Sequence, residues 1–419
     1  MQNHKIIYPA LQKYYSALKA LNEFGVNNDI FDDISNLDIF FSEFRNITFM
    51  IQKGIESDEQ LNLYRLLRDE HLLNDELKWF IDIRNKTTKE VPFELKKELK
   101  IKLYTTKGVM EISDQSLVID YQESFEIALN FLRKMMSDFH IENEIHFSIE
   151  ILFTEFGLSV DIYPKILFGI NQMNIFLNEF SKVYPCICAN CELLNSKIEI
   201  LIRDVLSKKV RFVNDYSLGK ELIEGEKVEM YVSNSNDSLT HISNLRSTLE
   251  NSIYQGLNLN LFDLFKKFIT LHITIFNLSQ GNILPNFMII YSDNSFRKIV
   301  FVATTKATLY RKVQDIVELN DFQEIIAIFT CGEFYTFNLE DQVELNKMAS
   351  NERAILAKSE ILSFSMLDVD GNEMTIFFDE KEITDNNYVI TTIKNAKFNN
   401  DNVFTRLFWL NPVREKMKK

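Results

Sequence analysis

Cys186, Cys188 and Cys191 form a C-x-C-x-x-C cluster directly after Pro185. Thiolates at that spacing can share a Zn²⁺ ion, which prefers four nitrogen or sulfur ligands in a tetrahedron. No fourth ligand stands nearby in the chain, and Cys331 and His272 are the distant candidates. The competing reading is a set of half-buried thiols at the start of a helix continuing through Leu193 and Ile198, because a closed cysteine-rich zinc module normally shows a second local pair. The expectation is therefore a chain without a cofactor, with zinc at Cys186, Cys188 and Cys191 as the alternative. Redox chemistry has less support, since no thioredoxin-like strand precedes the C-x-x-C.

A second set of residues is cationic. Arg84 follows Leu77 by seven and Phe80 by four, so it projects from the apolar face of a helix, and Arg45 follows Phe41 by four in the same relation. Guanidinium groups there either snorkel to the rim and pair with acids such as Asp82 or Glu43, or line a small anion-binding cleft. Continued helix past Arg84 would carry Lys89 roughly 140° around the axis from it. The paired threonines Thr87 and Thr88, and the extended bias that Pro92 places on Val91, predict a break that returns Lys89 toward Arg84. On this reading Arg45, Arg84 and Lys86 are phosphate-binding, and Arg84, Asn85 and Lys89 form the candidate catalytic group.

Other candidates are explained without chemistry. Arg65 with His71 and Arg133 with His140 fall at spacings that chance supplies among so many arginines, and solvent-facing positions near helix ends account for them. His272 stands among Leu271, Ile273 and Phe276, as a packed histidine would. Glu333 follows an apolar run that ends in Thr330-Cys331-Gly332, where a glycine admits close backbone approach, but a charge at a strand end beside a turn is the better explanation.

The elements that must position these residues follow from periodicity. Leu11, Tyr14, Leu18 and Leu21 recur at helical steps before Gly25, and Leu37, Phe40, Phe41, Phe44, Ile47 and Ile51 give a second helix ending at Gly54. Ser57 and Gln60 have capping-box spacing for a third helix, and Asn74 can cap a fourth. Residues 1–92 thus predict an antiparallel helical bundle. Residues 93–232 read as a mixed α+β region: strands over Ile101 to Ile119 with a turn at Lys107-Gly108, a helix over Gln122 to Phe139, a strand over Ile145 to Phe156 and a helix over Ile162 to Tyr184. A Ser- and Asn-rich run, Ser233 to Thr240, marks a boundary, and 241–419 read as a C-terminal α+β domain with a mostly antiparallel sheet. The fold class is α+β.

With 419 residues, 46% hydrophobic and 25% charged, the chain is long enough for two or three domains, and 11 Gly and 6 Pro exclude collagen-like or linker-dominated architectures. No stretch approaches the ~20 apolar residues of a membrane span. A net charge of −14 argues against broad, sequence-independent nucleic-acid binding but leaves room for a local RNA site. Four cysteines are too few for a disulfide scaffold, and with no apolar leader after His4 and Lys5 the expected location is the cytoplasm.

Phe44-Arg45-Asn46-Ile47-Thr48-Phe49, Gln52-Lys53 and Trp79 to Asn85 resemble the HEPN-type helical bundles of bacterial two-domain proteins, over about the first quarter of the chain. The C-terminal third resembles the second domain of the same proteins. The resemblance implies an Arg, a polar residue and a following His that meet across a homodimer interface and cleave RNA without a metal, in toxin, stress or phage-defence systems. Carried over, Arg84 would hold the scissile phosphate and Asn85 would assist. Lys89 stands in place of the His, and an ammonium with an ordinary pKa near 10.4 is a poor base, so an RNA- or nucleotide-binding site survives the exchange better than a nuclease. The alternative function is a non-catalytic protein-interaction or scaffold role. P-loop, dinucleotide, nucleophile-elbow and kinase signatures are absent from the sequence.

Overall fold

The computed structural model describes residues 3–89, 93–105, 108–114, 121–135, 144–155, 160–219, 223, 260–278, 283–293, 295–300, 305–319, 321–345, 348, 353–378, 380–383, 389–392 and 411–417. It is mixed α+β with the helices leading, as the periodicity predicts. Two units divide the chain: Met1–Lys100, Ile112–Ala128 and Ile149–Val213 make the first, and Ile101–Glu111, Leu129–Ser148 and Asn214–Lys419 the second. The linker expected at Ser233 to Thr240 lies outside the described residues.

In the first unit, α1 (His4–Glu23) buries Ile7, Leu11, Tyr14, Leu18 and Leu21 along one side. Helix α2 (Ile30–Gly54) starts at Asp29, whose side chain accepts from the Phe31 N–H, and it carries the expected phenylalanine face. The Ser57/Gln60 capping box opens α3 (Asp58–His71), and Asn74 accepts from the Leu77 N–H to cap α4 (Asp75–Lys89). Helices α6 (Tyr163–Val183) and α7 (Ala189–Arg211) join the same unit, α7 lying along α1 and α6 along α3. Gly54 ends α2 against the first turn of α1, where a Cβ would come within 2.7 Å of the Ile6 Cα. Only glycine permits that approach, and His4 stands in the turn it supports.

The α1–α2 connection is fixed by a buried ion pair. The Lys97 ammonium lies 3.0 Å from Asp33 Oδ2, with both side chains almost wholly enclosed, and donates to the Asn28 and Val26 carbonyls at 2.8 and 3.2 Å. Asp33 Oδ1 in turn accepts from the Gly25 N–H and the Asn28 side chain, both at 2.9 Å. Every charge in this group therefore has a partner, which is what makes its burial tolerable.

Lys97 belongs to β1 (Leu95–Thr105), which joins β2 (Gly108–Asp114), β3 (Glu144–Glu155) and β4 (Val213–Gly219) in a sheet of order β2-β1-β3-β4. Helix α5 (Tyr121–Met135) lies between β2 and β3 in the chain. The second unit holds a five-stranded antiparallel sheet of order β6-β5-β7-β8-β9, built from β5 (Asn286–Tyr291), β6 (Phe296–Val300), β7 (Ile325–Thr336), β8 (Ser359–Asp368) and β9 (Glu373–Phe378). Helix α8 (Leu261–Leu278) packs on one face through Phe265, Phe268 and Phe276 with Met288 and Ile290, and α9 (Lys306–Val317) on the other through Val313 and Ile316 with Phe287 and Ile289. Both faces being covered, β5 reads as an unbroken apolar run. A correction concerns β7, which continues through Gly332 and Glu333 to Thr336: Gly332 pairs with Ser363 and Glu333 with Leu362, so the glycine sits inside a ladder and opens no turn. Among the described residues no helix is long and apolar enough to cross a membrane.

The second unit holds a buried polar cluster. Arg311 chelates Asp215 at 2.9 Å through both Nε and Nη2, and Ser148 and Tyr104 extend the chain of hydrogen bonds. Beside it His146 Nδ1 meets Ser217 Oγ at 2.9 Å, and Glu144 is bound by Lys306 and Arg353 at 3.0 and 2.7 Å. Burial pulls the His146 imidazolium pKa down to about 4, with Lys306 and Arg353 acting in the same direction. The unfolded chain therefore binds the extra proton between pH 6.5 and 4, and stability fully present above pH 6.5 is lost as pH falls through 4. The loss expected is about 3 kcal/mol. Protection factors of the β3 and β4 amides, which divide out the slower intrinsic exchange at low pH, should fall over that window, and His146→Gln should flatten the dependence; an equal slope in the variant would refute the assignment.

Candidate metal centre

The loop between α6 and α7 carries Cys186 and Cys188, and Cys191 lies in the first turn of α7. Cys188 precedes the first residue of α7, and its sulfur accepts from the Cys191 backbone N–H at 3.4 Å, as an N-cap side chain does. Cys191 Sγ lies 3.2 Å from Cys186 Sγ, and Cys186 Sγ lies 3.6 Å from Cys188 Sγ.

The fourth donor is His4, the first residue of α1. Its Nδ1 lies 3.4 Å from Cys188 Sγ and 3.7 Å from Cys186 Sγ. Three features aim it there. Asn3 takes a left-handed conformation (φ 63°) that asparagine tolerates, and its side chain donates to the Pro185 carbonyl at 3.1 Å. The imidazole stacks on Tyr8 one turn further along, with ring centres 4.8 Å apart. Gly54 lets the turn seat against the end of α2.

All four ligand atoms lie within 4.8 Å of one another, and together they could hold a metal ion. With Zn–S near 2.3 Å and Zn–N near 2.0–2.1 Å, a tetrahedron places two sulfurs about 3.8 Å apart and a sulfur and nitrogen about 3.6 Å apart. The observed sulfur–nitrogen separations of 3.4 and 3.7 Å bracket that figure, and the sulfur–sulfur separations of 3.2 and 3.6 Å fall short of theirs by 0.2 to 0.6 Å, so the sulfurs would spread slightly around an ion. Cys191 is buried, and the other three are half-buried. The Cys191 N–H draws the Cys188 thiol down to about 6, while burial raises Cys186, and burial with the neighbouring sulfurs holds Cys191 above the ordinary thiol range. A cation among the sulfurs would favour all three as thiolates.

The sequence brings the three cysteines together correctly and misplaces the fourth ligand. Cys331 accepts from the Asn286 side chain at 2.7 Å in the five-stranded sheet, and His272 is fully buried with Nδ1 against the Phe268 carbonyl. No local spacing could have nominated His4, because it lies 182 residues from Cys186 and only the packing of α7 on α1 joins them.

The cationic residues fare differently. Helix α4 runs without a break to Lys89, which corrects the expected interruption after Arg84. Strong N-terminal capping and a continued hydrogen-bond ladder outweigh the two threonines, and positions 84 and 89 are about 140° apart around one axis. Asn85 is half-buried; the side chains of Arg84, Lys86 and Lys89, like all of His140, lie outside the described residues. Arg45 donates to Thr48 Oγ1 at 2.7 Å, and Glu43 pairs with Lys13 instead of with it. His71 meets Glu179 at 2.9 Å, and Arg133 donates to the Ile223 carbonyl at 2.7 Å. No protein-family model, curated protein or solved structure matches this chain.

Proposed function

We propose that His4, Cys186, Cys188 and Cys191 bind one Zn²⁺ ion as a closed structural centre that fastens the start of α1 to the α6–α7 loop. The observation that carries this reading is four soft or borderline donor atoms within 4.8 Å of one another, drawn from two distant parts of the chain. Three thiolates and an imidazole fill the coordination shell, leaving no position for a substrate or an activated water. The centre's work is therefore mechanical. Elemental analysis of protein purified under reducing conditions should find one zinc per chain, falling below a tenth of that in Cys191→Ser. Zinc-free wild-type protein that binds none on titration would end the reading.

A second reading, an RNA- or nucleotide-directed role, is supported by the sequence resemblance and by Arg45, whose guanidinium has no ion-pair partner among the described residues. Its measure is RNA cleavage or binding by the purified chain that Arg84→Ala abolishes. No cleavage and no binding by the chain or by Lys89→His would remove it.

A further inference from the structure

Away from the cysteines, the first unit holds a cleft of about 190 Å³ between α2, α3 and α4, with Met173 of α6 at its base. One water needs about 10–15 Å³ of such space, so the cleft has room for roughly a dozen small groups. Its floor is apolar: Phe44 and Phe80 stack with centres 5.0 Å apart, beside Leu77 and Met173. Leu73, in the α3–α4 connection, and Ile81 of α4 line it as well and are 58% and 39% exposed.

The cleft is also cationic. Arg45, Arg68 and the buried Tyr64 all line it, and both guanidiniums act on the Tyr64 hydroxyl. The Arg68 guanidinium lies 6.0 Å from the centre of the Tyr64 ring and also donates to Asp69 Oδ1 at 2.6 and 2.9 Å. Arg45 has only its bond to Thr48 and no acid partner among the described residues. Burial raises the Tyr64 pKa, so its hydroxyl stays protonated beside them. Arg45 is exposed and Arg68 is ion-paired, among the described residues, only with its neighbour Asp69, so both guanidiniums can take an anionic head.

We propose that this cleft binds an amphipathic anion: a carboxylate or phosphate head received by Arg45 and Arg68, on a short alkyl or aryl body that lies over Phe44, Phe80 and Met173. The inference is independent of the metal centre. Two cations lining an apolar recess match such a ligand in charge and in shape, and a guanidinium grips either head through paired N–H groups.

Calorimetric titration of the full chain with octanoate and with phenyl phosphate tests it, the two heads separating a carboxylate from a phosphate ligand. At least one should bind tenfold or more tightly than its truncated counterparts, 1-octanol and inorganic phosphate. Arg45→Gln removes an exposed charge with one local hydrogen bond and should keep the fold, yet weaken that ligand about ten- to a hundredfold. Ile81→Glu at the rim should weaken it as well, by like-charge repulsion. Failure of both anions to bind, equal binding of octanol and octanoate, or unchanged affinity in Arg45→Gln would overturn the proposal.

Discussion

Stripping zinc from the purified chain with a chelator is expected to free the first turn of α1 and to lower the stability of the first unit by several kcal/mol. A site held at about a thousand times its Kd contributes about 4 kcal/mol to the native state, less whatever affinity the unfolded cysteines retain. The effect should be local before it is global. Amides of residues 4–8 and 186–192 should exchange faster in the chelated protein and in Cys191→Ser, while those of β5 and β7 in the other unit keep their protection. His4→Ala should give a smaller loss, because three thiolates persist. Exchange at residues 4–8 that ignores chelation would show that Asn3, Tyr8 and Gly54 hold the turn unaided.

The second large effect concerns Asp33. Asp33→Ala leaves the Lys97 ammonium enclosed with only the Val26 and Asn28 carbonyls around it, and removes the acceptor of the Gly25 N–H. Removing one partner of a buried pair costs about 3–5 kcal/mol, against about 1 for an exposed one. Denaturant unfolding followed by the fluorescence of Trp79, which lies in the same unit, reads this out. Asp33→Asn combined with Lys97→Met should lose clearly less than Asp33→Ala, since no charge is then stranded. A loss below about 1 kcal/mol in Asp33→Ala would mean that water reaches the ammonium in solution.

How far the sequence reaches depends on the range of the interaction. The capping box at Ser57 and Gln60 and the Asn74 cap are local signals, and each is read correctly. The three cysteines, within six residues of one another, also lie together in the structure. Long-range partners are another matter. His4 looks like any polar residue near a chain start, and Lys97 looks like one more cation in a Lys-rich strand. The failure at Arg84 has a different cause: a weak local preference of two threonines is overridden by a helix already nucleated and capped upstream. Strand β4 is missed because Val213 to Gly219 mixes Asn, Asp and Ser among its apolar residues, and those polar side chains are satisfied only by partners such as Ser148, Arg311 and His146.

The separation of His4 from the cysteines also orders events at the ribosome. At about 5–20 residues per second, Cys191 is added roughly ten to forty seconds after His4. Throughout that interval the nascent α1 and α2 must shield their phenylalanines and leucines by pairing with each other, since α7 has yet to be made. If the centre takes up zinc as proposed, capture is a late step that seals an assembly already collapsed, and a shortage of the ion would leave the first turn of α1 loose.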